Sequence, residues 1–225
     1  MKLYDEVINC RLCERLVSWR EEVARTKKRA YLNWDYWGKP VPGFGDINGQ
    51  VLVVGLAPGA HGSNRTGRMF TGDSSGDFLY PALYKAGFAS QPKSSDISDG
   101  LKLNNLYITA ICRCVPPQNK PTPEEIRNCL PFLEQEIAQM KNLKILVALG
   151  AIAHHHLQRI YSNWLGMKIK ISFSHGNIEK LPGNHPYLLS SYHPSRQNTQ
   201  TGKLTEIMFD DIWGKVNQLI TESFR

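Results

Sequence analysis

Apolar positions along the chain follow two alternating periods. Short, nearly unbroken apolar runs occupy residues 51–57 (VLVVGLA), 106–111 (LYITAI), 145–149 (ILVAL) and 187–192 (YLLSSY), bounded by Gly, Pro or polar residues. Runs of this length and composition predict strands buried on both faces. Residues 169–173 form a further run, expected at a sheet edge. Helical patterns lie between and around these runs. Residues 2–28 read as an amphipathic helical region, and residues 77–86 as a helix ended by Gly87. Thr122 is an N-cap, Pro123 suits the first helical position and Glu124 and Glu125 fill the first turn, so a helix is expected over 123–141. Further helices are expected over 151–161 and 204–219, the latter with Leu204, Ile207, Met208, Ile212, Val216 and Leu219 toward the core.

Strands alternating with helices predict a mainly parallel sheet covered on both faces, with ligands bound at the strands' carboxyl ends. Three elaborate polar loops meet there, at residues 59–73, 112–121 and 193–202, and their convergence predicts a cleft. Residues 31–49, rich in aromatics, Pro and Gly, read as an ordered loop packed on the core, and no site is assigned to them.

At 225 residues and 41% hydrophobic, the chain can bury a sizeable core and is not compositionally disordered, so one domain is expected over 1–225 with a cysteine-bearing helical segment at about 1–30. The net charge of +7 favours a polyanionic partner. Residues 1–9 are polar and no run of about 18 apolar residues exists, so no signal peptide or membrane span is expected and the protein should be cytoplasmic.

Five cysteines occur, Cys10 and Cys13 in a C-x-x-C, then Cys112, Cys114 and Cys129. In an intracellular chain this pattern suits four thiolates on one metal centre, a [4Fe-4S] cluster or tetrahedral zinc, and spacing does not choose between them. Cys112 closes a buried strand, where a thiol behaves as a small hydrophobe, and is set aside. In the first loop, Gly55, Gly59, Gly62 and Gly67 allow close backbone approach to a ligand, Arg65 and Arg68 can meet phosphate, and Phe70 and Asp73 offer a stacking face and a carboxylate. Three adjacent histidines, His154 to His156, point in different directions on a helix, cannot ligate one ion and are expected at the surface or as caps.

The segments GLAPGAHGSNRTGRMFTGD, CVPPQNKPTPEE with a cysteine after it, and HPSRQNTQTGKL resemble the signature segments of the iron–sulfur uracil-DNA glycosylases, most nearly the family 5 branch. The resemblance runs from Cys10 to about Leu204. It implies an α/β/α sandwich around a four-stranded, mainly parallel sheet, a [4Fe-4S] cluster on Cys10, Cys13, Cys114 and Cys129, and a monomer acting on double-stranded DNA that contains uracil or other deaminated bases. Such an enzyme flips the nucleotide into a pocket and hydrolyses its N-glycosidic bond.

Each loop then has an expected task. Phe70 matches the aromatic that stacks on the flipped base, where a core Phe is the plainer reading. His193 matches the histidine that donates to the pyrimidine carbonyl as charge develops, though a histidine after a buried strand can be a satisfied cap. Asp73 is expected to position water or stabilise the sugar cation, and it would equally cap the following helix. Asn119 contacts base or sugar or forms the turn. Gly55, Ala57, Gly59 and His61 are expected to bind substrate, and Ser195, Arg196 and Gln197 to enter the groove and touch phosphates. Family 4 relatives carry a glutamate at the position of Leu56 and an asparagine at that of Ala110. Without those polar handles the pocket should be permissive, taking hypoxanthine as well as uracil. A non-catalytic nucleic-acid-binding module remains the other class of reading, and a family 4-like strict uracil enzyme a third.

Overall fold

The computed structural model describes residues 2–222, so residue 1 and residues 223–225 of the expected domain lie outside the described residues. The amino-terminal helical region is two helices, α1 (Lys2–Ile8) and α2 (Glu14–Thr26), broken between them where the C-x-x-C falls. The chain continues through β1 (Phe44–Gly45), β2 (Val51–Gly55), α3 (Ser63–Thr66), α4 (Ser74–Lys85), β3 (Leu106–Ala110), α5 (Pro123–Gln139), β4 (Ile145–Leu149), α6 (Ala151–Leu165), β5 (Ile178–Lys180), β6 (Tyr187–Ser191), α7 (Arg196–Gln200) and α8 (Glu206–Glu222). None of these helices is long and apolar enough to cross a membrane.

The sheet order is β1-β3-β2-β4-β6-β5. The four inner strands are parallel, as expected, and β2 and β4 are buried along their whole length. The sheet has six strands rather than four, because β1 and β5 add antiparallel edges of two and three residues. Edges that short carry no readable period. Residues 169–173 do not pair as a strand. Ile169 and Ile171 are buried under the sheet, while the Ile171 carbonyl accepts from His154 Nε2 and Gln158 Nε2.

Alternate residues of each strand feed two cores. Val51, Val53, Ile108, Val147 and Leu189 pack with α4 and α8, whereas Leu52, Val54, Leu146, Ala148 and Leu188 pack with α5 and α6. The result is a three-layer α/β/α sandwich, because strands apolar on both faces need helices on both. In α8 the buried stripe is Phe209, Ile212, Trp213 and Val216, and Ile207 is 84% exposed instead of core-facing. His154 is also the reverse of its expected surface position. It is fully buried, with Nδ1 2.7 Å from Ser190 Oγ and Nε2 2.9 Å from the Ile171 carbonyl.

Candidate active site

The register of the sheet brings the loop origins together. Gly55 pairs with Ala110 and Leu149 with Ser191, so the chain leaves β2, β3 and β6 at one edge of the sheet. There the three loops enclose a cleft of about 890 Å³, a size suited to a nucleotide-sized ligand. Its walls include Ala57, Gly59, His61, Phe70, Asp73, Asn119, His193, Ser195, Arg196 and Gln197. Leu56 and Ala110, the two positions lacking the polar handles of family 4, also line it. Gly55 does not. It lies under the Phe70 ring, and a Cβ there would come within 2.8 Å of Phe70 Cζ, so the absence of a side chain lets the ring seat on the strand end.

Phe70 is held in the left-handed region at φ +53°, a conformation that costs a bulky residue of order 1 kcal/mol or more and tends to persist where the surroundings fix it. Its ring is 5.8 Å from that of His193, tilted by 31°. Burial draws the His193 imidazole down to about 4, so it is neutral near pH 7. A neutral ring beside an aromatic face can donate one N–H without bringing in a charge.

Asp73 fulfils the capping reading with one oxygen and leaves the other out of the cap. Oδ1 accepts from the backbone N–H of Ser75 and Gly76 at 3.0 and 3.1 Å, capping α4. Oδ2 faces Gly59 and Gly62, where a side chain at either glycine would crowd it. Burial raises the Asp73 pKa, opposed by those two N–H donors. Asn119 stands exposed at the rim, itself at φ +57°, ending the 3-10 turn Pro117–Asn119. Ser195 caps α7, its Oγ accepting from Asn198 N, and Asn198 Nδ2 donates to the His193 carbonyl at 2.8 Å.

Two arginines expected to face phosphate do not. Arg68 is buried and pairs with Asp99 at 2.6 Å. Arg65 is buried with its guanidinium over the edge-to-face pair of Tyr31 and Trp34 rings, 4.0 Å from each centroid, donating to the His61 and Gly72 carbonyls. The aromatic segment therefore reaches the cleft after all, since Tyr31 lines it, as does Lys28 just before the segment. Its Trp and Tyr content marked packing, and only the pairing with Arg65, distant in sequence, brings it to the loop.

Cys10, Cys13, Cys114 and Cys129 line a second, smaller pocket, together with Arg20, Arg113 and Glu125. No group of three or more His, Cys, Asp or Glu among the described residues is set to hold a single metal ion. N–H donors point at three of these sulfurs: Arg20 Nη1 at Cys114 (3.0 Å), Arg113 N at Cys129 (3.2 Å) and Asn128 Nδ2 at Cys13 (3.5 Å). Cys112 is buried beside Cys129 and shares a hydrogen bond with it, which raises the Cys112 pKa and lowers that of Cys129.

A family model of the uracil DNA glycosylase superfamily matches residues 42–217. The chain is 51% identical over 210 residues to the type-5 uracil-DNA glycosylase of Thermus thermophilus, covering 93% of both chains. Identity is 49% to that of Mycobacterium bovis, over 93% of this chain and 78% of the other. To the type-5 enzyme of Pyrobaculum aerophilum it is 43%, over 89% and 84%. With the sandwich and the cleft at its strand ends already described, these similarities show that the chain belongs to the uracil DNA glycosylase superfamily, in its type-5 branch.

Proposed function

We propose that this chain is a monofunctional glycosylase that flips uracil, and other deaminated bases such as hypoxanthine, out of duplex DNA and hydrolyses the N-glycosidic bond during base-excision repair. The observation that carries the reading is the single cleft in which Phe70, His193 and Asp73 come together. The type-5 relatives, each named a uracil-DNA glycosylase, support the reaction class.

In this reading the flipped base stacks on Phe70. As the bond breaks, electrons pass to the base and the sugar becomes cationic, so the enzyme must favour an anion on one side and a cation on the other. His193, neutral, donates its N–H to the pyrimidine oxygen that gains charge. Asp73 Oδ2 takes a hydrogen bond from water and directs it at the sugar carbon, while the negative carboxylate stabilises the cation. Asn119 at the rim contacts base or sugar, and Gly59, Ala57 and His61 form the wall against which the nucleotide lies. Ser195, Arg196 and Gln197 meet the flanking strand as a monomer sits on the duplex. The described residues, 2–222, work as one domain in this reading.

A [4Fe-4S] cluster fits the cysteine pocket better than zinc does. A cubane takes one thiolate at each of four irons, so its ligands ring a volume instead of meeting at a point, and the N–H donors to sulfur are those such thiolates need. Cys10, Cys13, Cys114 and Cys129 would hold it, and it would supply bonds tying the α1–α2 break to the second active-site loop and to α5.

The test is a labelled duplex carrying one uracil, and in parallel one hypoxanthine, treated with alkali after incubation. Breakage at both positions is expected, and Ala110→Asn should lower hypoxanthine release relative to uracil by about tenfold or more, because a paired amide rejects bases that leave it unpaired. Breakage at uracil alone would remove the broad-range claim. Intact strands with DNA still bound would remove the glycosylase reading.

A further inference from the structure

We propose that Arg20 is the counter-charge and hydrogen-bond donor of the cysteine centre, a positioning residue that sets how tightly iron is kept and at what potential it is reduced. The inference rests on the cluster reading above. Arg20 projects from the middle of α2 and is 2% exposed. Its Nη1 donates to the Cys10 carbonyl at 3.2 Å and to Cys114 Sγ at 3.0 Å, while Nε is buried with no partner. A buried guanidinium needs an anion. The nearest carboxylate, on Glu21, is 3.8 Å away, half-exposed and already gripped by both terminal nitrogens of Arg11.

The other charged residues of the pocket are matched. Arg113 is paired with buried Glu136, and Glu125 with Arg15 at 2.7 Å. Among them Arg20 alone has no carboxylate within hydrogen-bond reach, and its Nη1 points at the Cys114 sulfur. Four thiolates on a [4Fe-4S] core in its 2+ state carry a net charge of −2, the missing anion. Hydrogen bonds to cluster sulfurs and nearby charge are what tune such a centre. Reduction adds negative charge, so a fixed cation favours the reduced state, and its removal should make the potential more negative.

Arg20→Met keeps the apolar stem and volume while losing charge and donors. Wild type, Arg20→Met, Arg20→Lys and the exposed control Arg25→Met would be purified intact. Iron and sulfide content, visible absorption, midpoint potential and the rate of iron loss to a chelator would be measured. Arg20→Met is expected to show a more negative potential and iron loss at least several-fold faster, Arg20→Lys to fall between it and the wild type, and Arg25→Met to match the wild type. Arg20→Lys carries the test should Arg20→Met not accumulate. A position-20 variant with full iron that coincides with the wild type in both readouts overturns the proposal while leaving the cluster reading intact. A wild type devoid of iron and sulfide overturns the cluster reading and this proposal with it.

Discussion

At Asp73 one side chain serves folding through Oδ1 and, in the proposed reaction, chemistry through Oδ2. The two roles separate by substitution. Asparagine is as good an N-cap as aspartate but carries no charge, so Asp73→Asn should lower turnover by about 10²–10⁴-fold. Its melting temperature at pH 7 should not fall, because burial raises the Asp73 pKa and the ionised form is therefore the one that the fold disfavours. Asp73→Ala loses the cap as well, about 1 kcal/mol in thermal or urea unfolding relative to Asn. His193 gives a prediction of opposite sign. Its folded value of about 4 lies below the ordinary 6.5, so between those limits the unfolded chain binds a proton that the folded chain does not. Stability from this group is full above about 6.5 and is lost as pH falls toward 4. Unfolding measured from pH 7 down to 4.5 should thus show a shallower loss in His193→Gln than in the wild type. Likewise kcat should show no inflection near 6.5 from this group, since in the folded chain His193 stays neutral until the pH approaches 4.

Among elements, the first loop is the one most in need of support, because it has only the four-residue helix α3 of its own. Arg65 supplies that support. Its fork ties the His61 and Gly72 carbonyls, near the two ends of the loop, and its guanidinium lies over the Tyr31 and Trp34 rings. Removing it with Arg65→Met should lower kcat by tenfold or more with KM little changed, and cost about 1–3 kcal/mol in unfolding, since two part-buried carbonyls lose their donors and two rings their cation. Arg65→Lys keeps a charge without the fork and should recover only part. Equal kcat in Arg65→Met and wild type would remove this positioning role. The elements differ in how legible they are. The four parallel strands and the helix over 123–139 are plain from their apolar runs and the Thr122 cap. By contrast, residues 169–173 look like a strand and are not one, because side-chain donors from α6 take the Ile171 carbonyl that a ladder would use. Ile207 has the spacing of a core residue and faces outward, since Phe209, Ile212, Trp213 and Val216 already fill the buried stripe of α8.

For the whole molecule, the site is a product of topology. Parallel pairing in register delivers three loops to one edge, and the cleft residues read from the loops lie around one cavity because their strands end together. The cysteines likewise come from the α1–α2 break, the second loop and α5, and share a pocket only once α2 docks. What the amino-acid sequence determined alone was local and periodic: the apolar strands, the capped helix, and the loops rich in Gly and Pro that carry Phe70, Asp73, Asn119 and His193. What only the tertiary structure decided was partnership between residues far apart in the chain. Arg65 and Arg68 turned inward to rings and Asp99, His154 went into the core, Tyr31 and Lys28 joined the cleft, and Arg20 was left beside sulfur with no carboxylate within hydrogen-bond reach. A guanidinium or imidazole has the same sequence signature in water as in a buried hydrogen-bonded slot, and the choice between them is made by whichever distant groups the fold brings to it.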